Sequence, residues 1–405
     1  MKLDKKFFTQ TLGLDDSPVK PIATELVSEK KIGNKFAYSL KVNGDEGQNI
    51  LAIHNKLNQL FLNNIEINRC AKAFIKGRSY LDFIEPHREN FHFIRLDIKK
   101  FFHSIGIDLL TEAFENYFKK DYLINNENKQ SLLNAFIKLV TYTIPDDSPN
   151  IELRGVTVLP IGFKLSPVIS NIVFRKFDLL IEDYCYHNNI TYSRYADDMI
   201  FSMKISNKFK NFKRIKFPSL LINAEDDRER KLEILSFIHS DKFIDDISDI
   251  LSIGQHKFHL NPKKTIRSHH TISLNGYVIE GCEDHFSTGS IRLSNKKTHF
   301  ISKVIHAITK KKLSPESIFK TILKESIDKS NIPYTPATPA FKKQYYRSQL
   351  INKLAGYRSY IISFLVYDSK HHCIEDKYIR KYLEMINAIE KSINKLEKQR
   401  LQQPK

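Results

Sequence analysis

Hydrophobic and polar positions mark two places where a strand-like segment carries carboxylates. The first segment, His92–Ile98, contains Asp97 near its end. The second consists of two strand-like segments, at 192–196 and 199–205, which are joined at the Asp197-Asp198 pair. Short apolar or alternating runs of this length are typical of strands. Because side chains at the turn of a hairpin project from one edge of a sheet, we expect these carboxylates to be presented together.

Most of the remaining chain shows helical spacing of its apolar residues. We expect helices in 50–73, 107–141 and 166–187, and a mostly helical chain after Gly276. Residues 151–159 alternate like one arm of a hairpin, 206–257 form a long charged insert, and three prolines interrupt 332–339. Residues 374–401 have the pattern of a basic amphipathic helix, for which a coiled coil or a partner-binding helix are alternatives.

Composition describes a globular, strongly basic chain. Of 405 residues, 41% are hydrophobic and 11% aromatic, which is enough to build a substantial core. The formal net charge is +18, and the stretch from Phe286 onward holds 24 Lys and Arg against 9 Asp and Glu. A well-solvated helical surface would account for this bias, but a polyanionic partner accounts for it too. Since no apolar run is long enough to cross a membrane, we expect a cytoplasmic protein without a membrane partner.

The carboxylates indicate a metal-dependent chemistry. A hard divalent cation such as Mg²⁺ takes oxygen ligands, a few from protein and the rest from water and substrate phosphates. Two such ions can activate a primer 3′-hydroxyl and stabilise the departing pyrophosphate. Acidic hairpin turns are also common on protein surfaces, so the Asp197-Asp198 pair needs the support of neighbouring motifs.

Six segments in order resemble the reverse transcriptase family, above all bacterial retron and group II intron enzymes. The resemblance runs over about 70–340. The segments are AKAFIKGRSYLDFIEPH (71–87), RLDIKKFFHSI (95–105), LPIGFKLSPVISN (159–171), YADD (195–198), LNPKKT (260–265) and LNGYVI (274–279).

The resemblance assigns the metal site and the general acid. It implies that Asp97 and Asp197 bridge two Mg²⁺ ions, with Mn²⁺ as an alternative, and that Asp198 is more peripheral. The carbonyl of Ile98 would complete the shell of the nucleotide metal. Lys264 matches the lysine proposed to protonate the leaving pyrophosphate, although Lys263 lies beside it.

The resemblance also implies a nucleotide pocket. Phe102 matches the steric gate that excludes a 2′-hydroxyl, although a core role would also explain a phenylalanine there. Position 161 departs from the family, because isoleucine stands where the family has a glutamine that contacts the nucleotide. Nucleotide handling is therefore expected to be unusual. The remaining candidates are Lys76 and Arg78 on the triphosphate (or merely in a surface turn), the amides of Lys100 and Phe101 on phosphate oxygens, and Ser166 and Asn171 beneath the nascent base pair.

The implied fold is α+β, a right-hand polymerase with fingers, palm and thumb. Its palm would be a split βαβ-type antiparallel sheet and its thumb helical. The expected domains are 1–96 (N-terminal region and fingers), 97–285 (palm, with finger elements at 106–158 and the insert at 206–257) and 286–405 (thumb and C-terminal helix). The expected nucleic-acid contacts are Arg292, Lys296, Lys297, Lys353 and Arg358, the last two facing a duplex.

The expected function is RNA-directed DNA synthesis: addition of dNTPs to a primer on an RNA template, giving a DNA product. Family analogy suggests a structured non-coding RNA as template, a role in phage defence, and a protein partner or a homo-oligomer. Phe102 and Ala196 argue against an RNA-dependent RNA polymerase. Two alternatives remain, namely untemplated or protein-primed DNA synthesis at the same site, and a catalytically dead RNA-binding scaffold.

Overall fold

A computed structural model describes residues 2–14, 18–33, 35–124, 129–204, 237–254, 258–282, 288–325 and 339–401. The chain forms two compact units. Unit 1 comprises Met1–His87 and His92–Ser268, and unit 2 comprises Arg88–Phe91 and His269–Lys405. The predicted domain limits at 96/97 and 285/286 remain predictions, since they divide the chain by presumed role rather than by compactness.

Unit 1 combines a central sheet, small hairpins and helices. Its strands are β1 (Val27–Ile32), β2 (Lys35–Leu40), β3 (His92–Asp97), β4 (Tyr122–Ile124), β5 (Gln130–Ser131), β6 (Tyr142–Thr143), β7 (Thr157–Val158), β8 (Thr191–Tyr195), β9 (Asp198–Met203) and β10 (Ile266–His269), whose last residue belongs to unit 2. Its helices are α1 (Asp45–Leu60), α2 (Tyr80–Ile84), α3 (Ile107–Phe114), α4 (Leu132–Val140), α5 (Ser166–His187) and α6 (Asp241–Leu251).

The central sheet has the strand order β10-β3-β9-β8. Strand β9 pairs antiparallel with both β3 and β8. Every residue of β3 except Arg95 is buried, which explains why this strand reads as an apolar run. Helix α5 precedes the β8–β9 hairpin and buries one face with Ile169, Phe174 and Phe177. The strands predicted around 92–98, 192–196 and 199–205 and the helix predicted at 166–187 are thereby confirmed, whereas the predicted hairpin arm 151–159 is a strand only in β7.

The segment 107–141 is less uniform than its periodicity predicts. Helices α3 and α4 occupy its two ends, and the hairpin strands β4 and β5 lie between them. Likewise, 50–73 contains only α1 and the short turn Leu62–Asn64. Apolar spacing alone could not separate these short elements, because three-residue strands leave too little pattern.

The described part of the predicted insert includes a core helix. Helix α6 begins after Ser240, whose hydroxyl accepts a hydrogen bond from the Phe243 amide at 3.1 Å. Phe243, Ile247 and Leu251 recur every fourth residue and are fully buried in the core of unit 1. The four aspartates of this helix obscured the apolar stripe in the sequence. Most of the remainder, 206–236, lies outside the described residues.

Hairpin β1–β2 is joined to the loop that precedes α5. The Tyr38 amide donates to the Ile161 carbonyl at 2.7 Å. Gly162 has φ +108°, and a Cβ at this position would lie 2.4 Å from the Tyr38 carbonyl oxygen. Only glycine allows this close approach, so the P-I-G sequence couples the hairpin to the segment that begins α5.

Unit 2 consists of a three-stranded antiparallel sheet and helices. The strands, in the order β11-β12-β13, are β11 (Thr271–Leu274), β12 (Tyr277–Glu280) and β13 (Ser290–Leu293). The helices are α7 (Asn295–Thr309), α8 (Pro315–Ile318), α9 (Pro339–His371) and α10 (Asp376–Leu401). The helical character predicted after Gly276 and at 374–401 is confirmed, whereas most of the predicted break at 332–339 lies outside the described residues. With its helices and antiparallel sheets, the chain has the α+β class that the sequence predicted.

No helix among the described residues is long and apolar enough to cross a membrane.

Candidate functional site

The three predicted carboxylates meet at one edge of the central sheet. Asp97 ends β3 and is the direct cross-strand neighbour of Asp198, which begins β9. Asp197 lies in the turn between β8 and β9, where Ala196 has φ +57°. The Ile98 amide donates to the Asp197 carbonyl at 2.9 Å and holds this turn against the end of β3. The sheet register therefore brings together acids separated by 100 positions in the chain.

The LNPKKT segment runs alongside the same edge. The Lys99 amide donates to the His259 carbonyl and the Asn261 amide to the Asp97 carbonyl, both at 2.8 Å. These backbone bonds position Lys264 next to Asp97: its Nζ lies 2.7 Å from Asp97 Oδ1. Of the two adjacent lysines, Lys264 is therefore the one that contacts a catalytic candidate.

Each of the three carboxylates has a cationic partner in unit 1. The Asp97 side chain is almost fully buried beside Lys264, and Asp198 forms an ion pair with Arg95. Lys35, on hairpin β1–β2, places its Nζ 3.7 Å from Asp197 Oδ2. Burial raises the pKa of Asp198 above its usual value, and the Arg95 guanidinium opposes this rise only in part. The edge concentrates negative charge that must be balanced by cations.

The donor set fits hard divalent ions. All three predicted side-chain ligands, Asp97, Asp197 and Asp198, offer carboxylate oxygens, and no thiolate or imidazole belongs to this set. Asp197 and Asp198 retain side-chain exposures of 28% and 19%. A ligand arriving from solvent can therefore reach them. Oxygen-only, partly exposed sites of this kind suit Mg²⁺ or Mn²⁺ better than zinc.

The two phenylalanines after Asp97 have different surroundings. Phe101 is buried against Phe174 and Phe258 and belongs to the core. Phe102 is only half-buried, with its ring centroid 6.2 Å from that of the exposed Phe74. Of the two rings, Phe102 is therefore the one that an incoming sugar could contact.

The basic candidates for the triphosphate lie on exposed turns. Lys76 and Arg78 flank Gly77, which has φ +79°. Lys100 has φ +52°, and its ammonium group is paired with Glu152. The structure brings none of these side chains into an ion pair with the three carboxylates. Their nucleotide contacts stay predictions.

The candidates on α5 are buried and already bonded. The Ser166 hydroxyl donates to the Pro160 carbonyl at 2.6 Å, so it shapes the preceding loop and does not cap the helix. Asn171 Nδ2 donates to the Ala73 carbonyl at 2.8 Å, and its Oδ1 accepts from Arg194. Ile161 is half-buried and contributes its carbonyl to the bond with Tyr38. Ser166 and Asn171 therefore have a visible supporting role, and a direct nucleotide contact stays a prediction.

The residues of unit 2 that were predicted to contact nucleic acid differ in whether their charged groups already form ion pairs. Arg292 pairs with Glu280 at 2.5 Å, Lys353 with Glu325 at 2.7 Å and Arg358 with Glu390 at 3.5 Å. Lys296 is exposed, and the Lys297 ammonium lies 5.1 Å from the centroid of the Tyr360 ring. Arg292 therefore stabilises the β12–β13 pair, while Lys296 is accessible to a polyanion. Binding by these five residues stays a prediction.

Three cations near the acids were not singled out in the sequence. Arg95 stands two positions before Asp97 and so shares its face of β3, a relation that strand alternation makes predictable. Lys35 follows a Gly-Asn pair, which is a hairpin signal in a stretch otherwise without clear periodicity. Arg194 precedes YADD directly, but its neighbours Ser193 and Tyr195 gave no indication that a guanidinium would be buried there.

A buried histidine links β8 and β9, the two strands of the hairpin that carries Asp197 and Asp198. Ser193 on β8 donates its hydroxyl hydrogen to the Phe83 carbonyl, so His87 Nε2 must donate to Ser193 Oγ at 2.7 Å. His87 Nδ1 then accepts from Ser202 on β9 at 2.6 Å. Burial, with a smaller contribution from the charge of Lys72, lowers the pKa of His87 to about 3. The neutral ring satisfies both of its serine partners.

This histidine makes stability depend on pH. Between an unfolded pKa of about 6.5 and the folded pKa of about 3, the unfolded chain binds a proton that the folded chain does not, so stability falls as pH falls. From pH 7 to pH 5, His87 should cost about 2 kcal/mol of the free energy of unfolding. Urea unfolding at both pH values measures this loss. In His87→Gln, which can keep both hydrogen bonds, the loss should be smaller by that amount; an equal loss in both proteins would contradict the assignment.

Comparison with known proteins agrees with this geometry. Residues 51–218 match the family described as "Reverse transcriptase (RNA-dependent DNA polymerase)". The chain is 33% identical over 153 residues to the retron Ec83 reverse transcriptase of Escherichia coli, a match covering 38% of this chain and 45% of that protein. It is 31% identical over 159 residues to the retron Ec73 reverse transcriptase of Escherichia coli, covering 38% and 46%. The matches thus span less than half the length of each relative.

Among solved structures, the chain is similar to telomerase from Candida albicans in complex with a TWJ fragment of telomeric RNA, with a TM-score of 0.38, 11% identity, and coverage of 93% of this chain and 65% of that one. Apo telomerase from Candida tropicalis, truncated from its C-terminal domain, gives a TM-score of 0.35, 12% identity, and coverage of 68% and 56%.

Proposed function

We propose that this chain, which carries a reverse transcriptase domain related to those of Escherichia coli retrons, is an RNA-directed DNA polymerase. The observation that carries the proposal is the convergence of Asp97, Asp197 and Asp198 at one sheet edge, with Lys264 2.7 Å from Asp97. All three acids lie within the range 51–218 that matches the reverse transcriptase family. Neither a scaffold nor a structural ion pair requires three acids in this arrangement.

The chain's own groups would divide the work of nucleotide addition. Asp97 and Asp197 would hold two divalent cations, with Asp198 and the Ile98 carbonyl as further oxygen ligands. When bound, such ions supply positive charge to the attacking hydroxyl and to the departing phosphates. Lys264 lies close enough to the acids to donate a proton to pyrophosphate as it leaves. Lys35, which approaches Asp197 from the hairpin, is a further cation for the triphosphate.

Phe102 would select the sugar. Its ring is half-buried and follows Asp97 by five residues; as a steric gate it would leave no room for a 2′-hydroxyl. Replacing Phe102 by alanine should raise the preference for ribonucleotides over deoxynucleotides by about 10- to 200-fold, the range that contacts of this size provide. The measurement is kcat/KM for dNTP and rNTP on one primer–template, with deoxynucleotide addition by the same variant as the control. An unchanged ratio would assign Phe102 to the core alone.

The template would be a structured non-coding RNA, and the context phage defence in the cytoplasm. This part of the proposal rests on the relationship to retron enzymes and on the basic surface of unit 2, which includes Lys296. A helical unit that grips phosphates without reading bases suits a polymerase. A protein partner or a second copy of the chain belongs to the same proposal.

Purification from the native host, followed by sequencing of the bound nucleic acid, tests the template. The proposal predicts one structured RNA together with DNA complementary to it, and loss of that DNA in Asp197→Asn. DNA unrelated to any bound RNA would instead support untemplated or protein-primed synthesis. Ile161 is the observation that favours this second candidate, because its side chain cannot donate the hydrogen bond of the family glutamine.

A further inference from the structure

The largest fully buried side chain of the described residues belongs to Arg194, directly before the catalytic turn. Its guanidinium forms a bidentate ion pair with Asp178 of α5: Nε lies 2.9 Å from Oδ1 and Nη2 lies 2.7 Å from Oδ2. Both side chains have zero exposure. The Arg194 guanidinium carbon also lies 4.5 Å from the centroid of the Phe174 ring. Arginine is suited to such a site because its fork is planar and always charged.

The remaining nitrogen of the guanidinium is directed at the catalytic turn. Nη1 donates to the carbonyl of Ala196 at 3.1 Å and to Oδ1 of Asn171, also at 3.1 Å. The Ala196 carbonyl belongs to the peptide group whose nitrogen is that of Asp197. The next peptide group is held on the other side, since the Asp197 carbonyl accepts from the Ile98 amide. Asp197 is therefore fixed by one hydrogen bond before it and one after it.

The turn needs such support because of its backbone. Ala196 has φ +57°, in the left-handed region that residues with a Cβ rarely adopt. A conformation of this kind persists only where the surroundings hold it. The guanidinium provides a donor at this point, and the guanidinium is itself held by the Asp178 carboxylate and by the backbone pairing of Arg194 with Cys70 and Lys72.

We propose that Arg194, oriented by Asp178, is a positioning residue that fixes the peptide group before Asp197 and so directs this carboxylate towards the metal site. The inference rests on the proposed function, since it concerns the same site. It adds a link from α5 to the catalytic turn, through a residue that does not touch metal, nucleotide or primer.

A purely structural role would not require this arrangement. Two buried charges can usually be exchanged for uncharged groups of similar volume without loss of stability. What such an exchange cannot replace is the donor to the Ala196 carbonyl. Stability and positioning can therefore be separated by experiment.

Two variants remove the donor while leaving no unpaired buried charge. Arg194→Lys keeps the charge opposite Asp178, but a single ammonium group cannot reproduce the fork and also reach Asn171 and Ala196. The double variant Arg194→Met/Asp178→Asn removes both charges and keeps an acceptor for the Tyr192 hydroxyl, which lies 2.9 Å from Asp178. Tyr192→Phe is the matched control, because it removes a hydrogen bond to the same Asp178 carboxylate without touching the turn.

The first readout needs no activity: Mn²⁺ alone is titrated into the full chain and the bound ion is followed by electron paramagnetic resonance. The second is single-nucleotide extension of a DNA primer on an RNA template as a function of Mg²⁺. Outer-shell partners of metal ligands typically change metal affinity or activity by about 10- to 100-fold. We expect a change of that size in Mn²⁺ affinity and in kcat for both donor-lacking variants, with KM for the primer–template and the thermal midpoint close to wild type. Tyr192→Phe should match wild type in both readouts.

Either donor-lacking variant, if folded and equal to wild type in Mn²⁺ affinity and in kcat, overturns the inference. Equal losses in Tyr192→Phe would also overturn it, because they would assign the effect to the packing of the network as a whole. A wild-type chain that binds Mn²⁺ but extends no primer would instead count against the proposed function, and the Mn²⁺ titration would still decide the role of Arg194.

Discussion

We expect that replacing Asp197 by asparagine lowers the rate of deoxynucleotide addition by about 10²- to 10³-fold, the scale on which a single electrostatic group at a reaction centre acts. The amide has nearly the same shape as the carboxylate, and the backbone bond from Ile98 to the Asp197 carbonyl does not involve the side chain. The fold should therefore survive. What is lost is one negative charge at the point where we propose that divalent cations bind. The measurement is single-turnover addition of one dNTP to a DNA primer on an RNA template.

A matched substitution controls for the loss of any acidic side chain. Asp183 on α5 has a side-chain exposure of 75% and only a long contact, 3.7 Å, with His187. Asp183→Asn should extend the primer at the wild-type rate and unfold at the wild-type temperature. If Asp197→Asn kept more than a tenth of the wild-type rate, the assignment of Asp197 as a metal ligand would be wrong.

The second large effect concerns stability: Arg194→Met alone should lower the free energy of unfolding by about 3–5 kcal/mol. The substitution leaves the Asp178 carboxylate at zero exposure without its ion-pair partner. The hydrogen bond from Tyr192 remains, but a single neutral donor does not compensate a buried carboxylate for its lost hydration and its lost ion pair. Urea unfolding at pH 7 measures the loss.

An exposed ion pair provides the comparison. Arg267 on β10 lies 2.9 Å from Asp241, with side-chain exposures of 40% and 93%. Arg267→Met should change the free energy of unfolding by less than about 1 kcal/mol, because solvent already screens that pair. Similar losses in both variants would show that the Arg194–Asp178 pair contributes no more than a surface contact.

The central features of the site were predictable because they depend on short patterns. His92–Asp97 and the hairpin around Asp197 consist of single strands whose apolar residues sit next to the acids, so the sequence indicated both strands and their ends. The helix 166–187 was predictable for a similar reason, since its apolar stripe persists over 22 residues. The resemblance to reverse transcriptases then supplied roles that spacing alone could not.

Arg194, the contact of Lys35 and helix α6 were not predicted, for reasons specific to each. Arg194 is a charged residue in strand β8. Only the fold shows that Asp178, on the preceding helix α5, pairs with it and balances its charge. Lys35 reaches Asp197 through the hairpin β1–β2, a contact between positions 162 apart in the chain. Helix α6 was predicted as part of a charged insert because four aspartates lie between and beside its buried Phe243, Ile247 and Leu251. In each case the deciding contact is made between distant segments.

Primer extension by the full wild-type chain tests the central claim most directly. An RNA of defined sequence is annealed to a DNA primer, dNTPs and MgCl₂ are added, and the product is sequenced. The account predicts DNA complementary to the supplied RNA, no product without Mg²⁺ or Mn²⁺, and product formation by Asp197→Asn slowed by about 10²- to 10³-fold. DNA whose sequence is independent of the RNA, or the absence of any product from the wild-type chain, would contradict it.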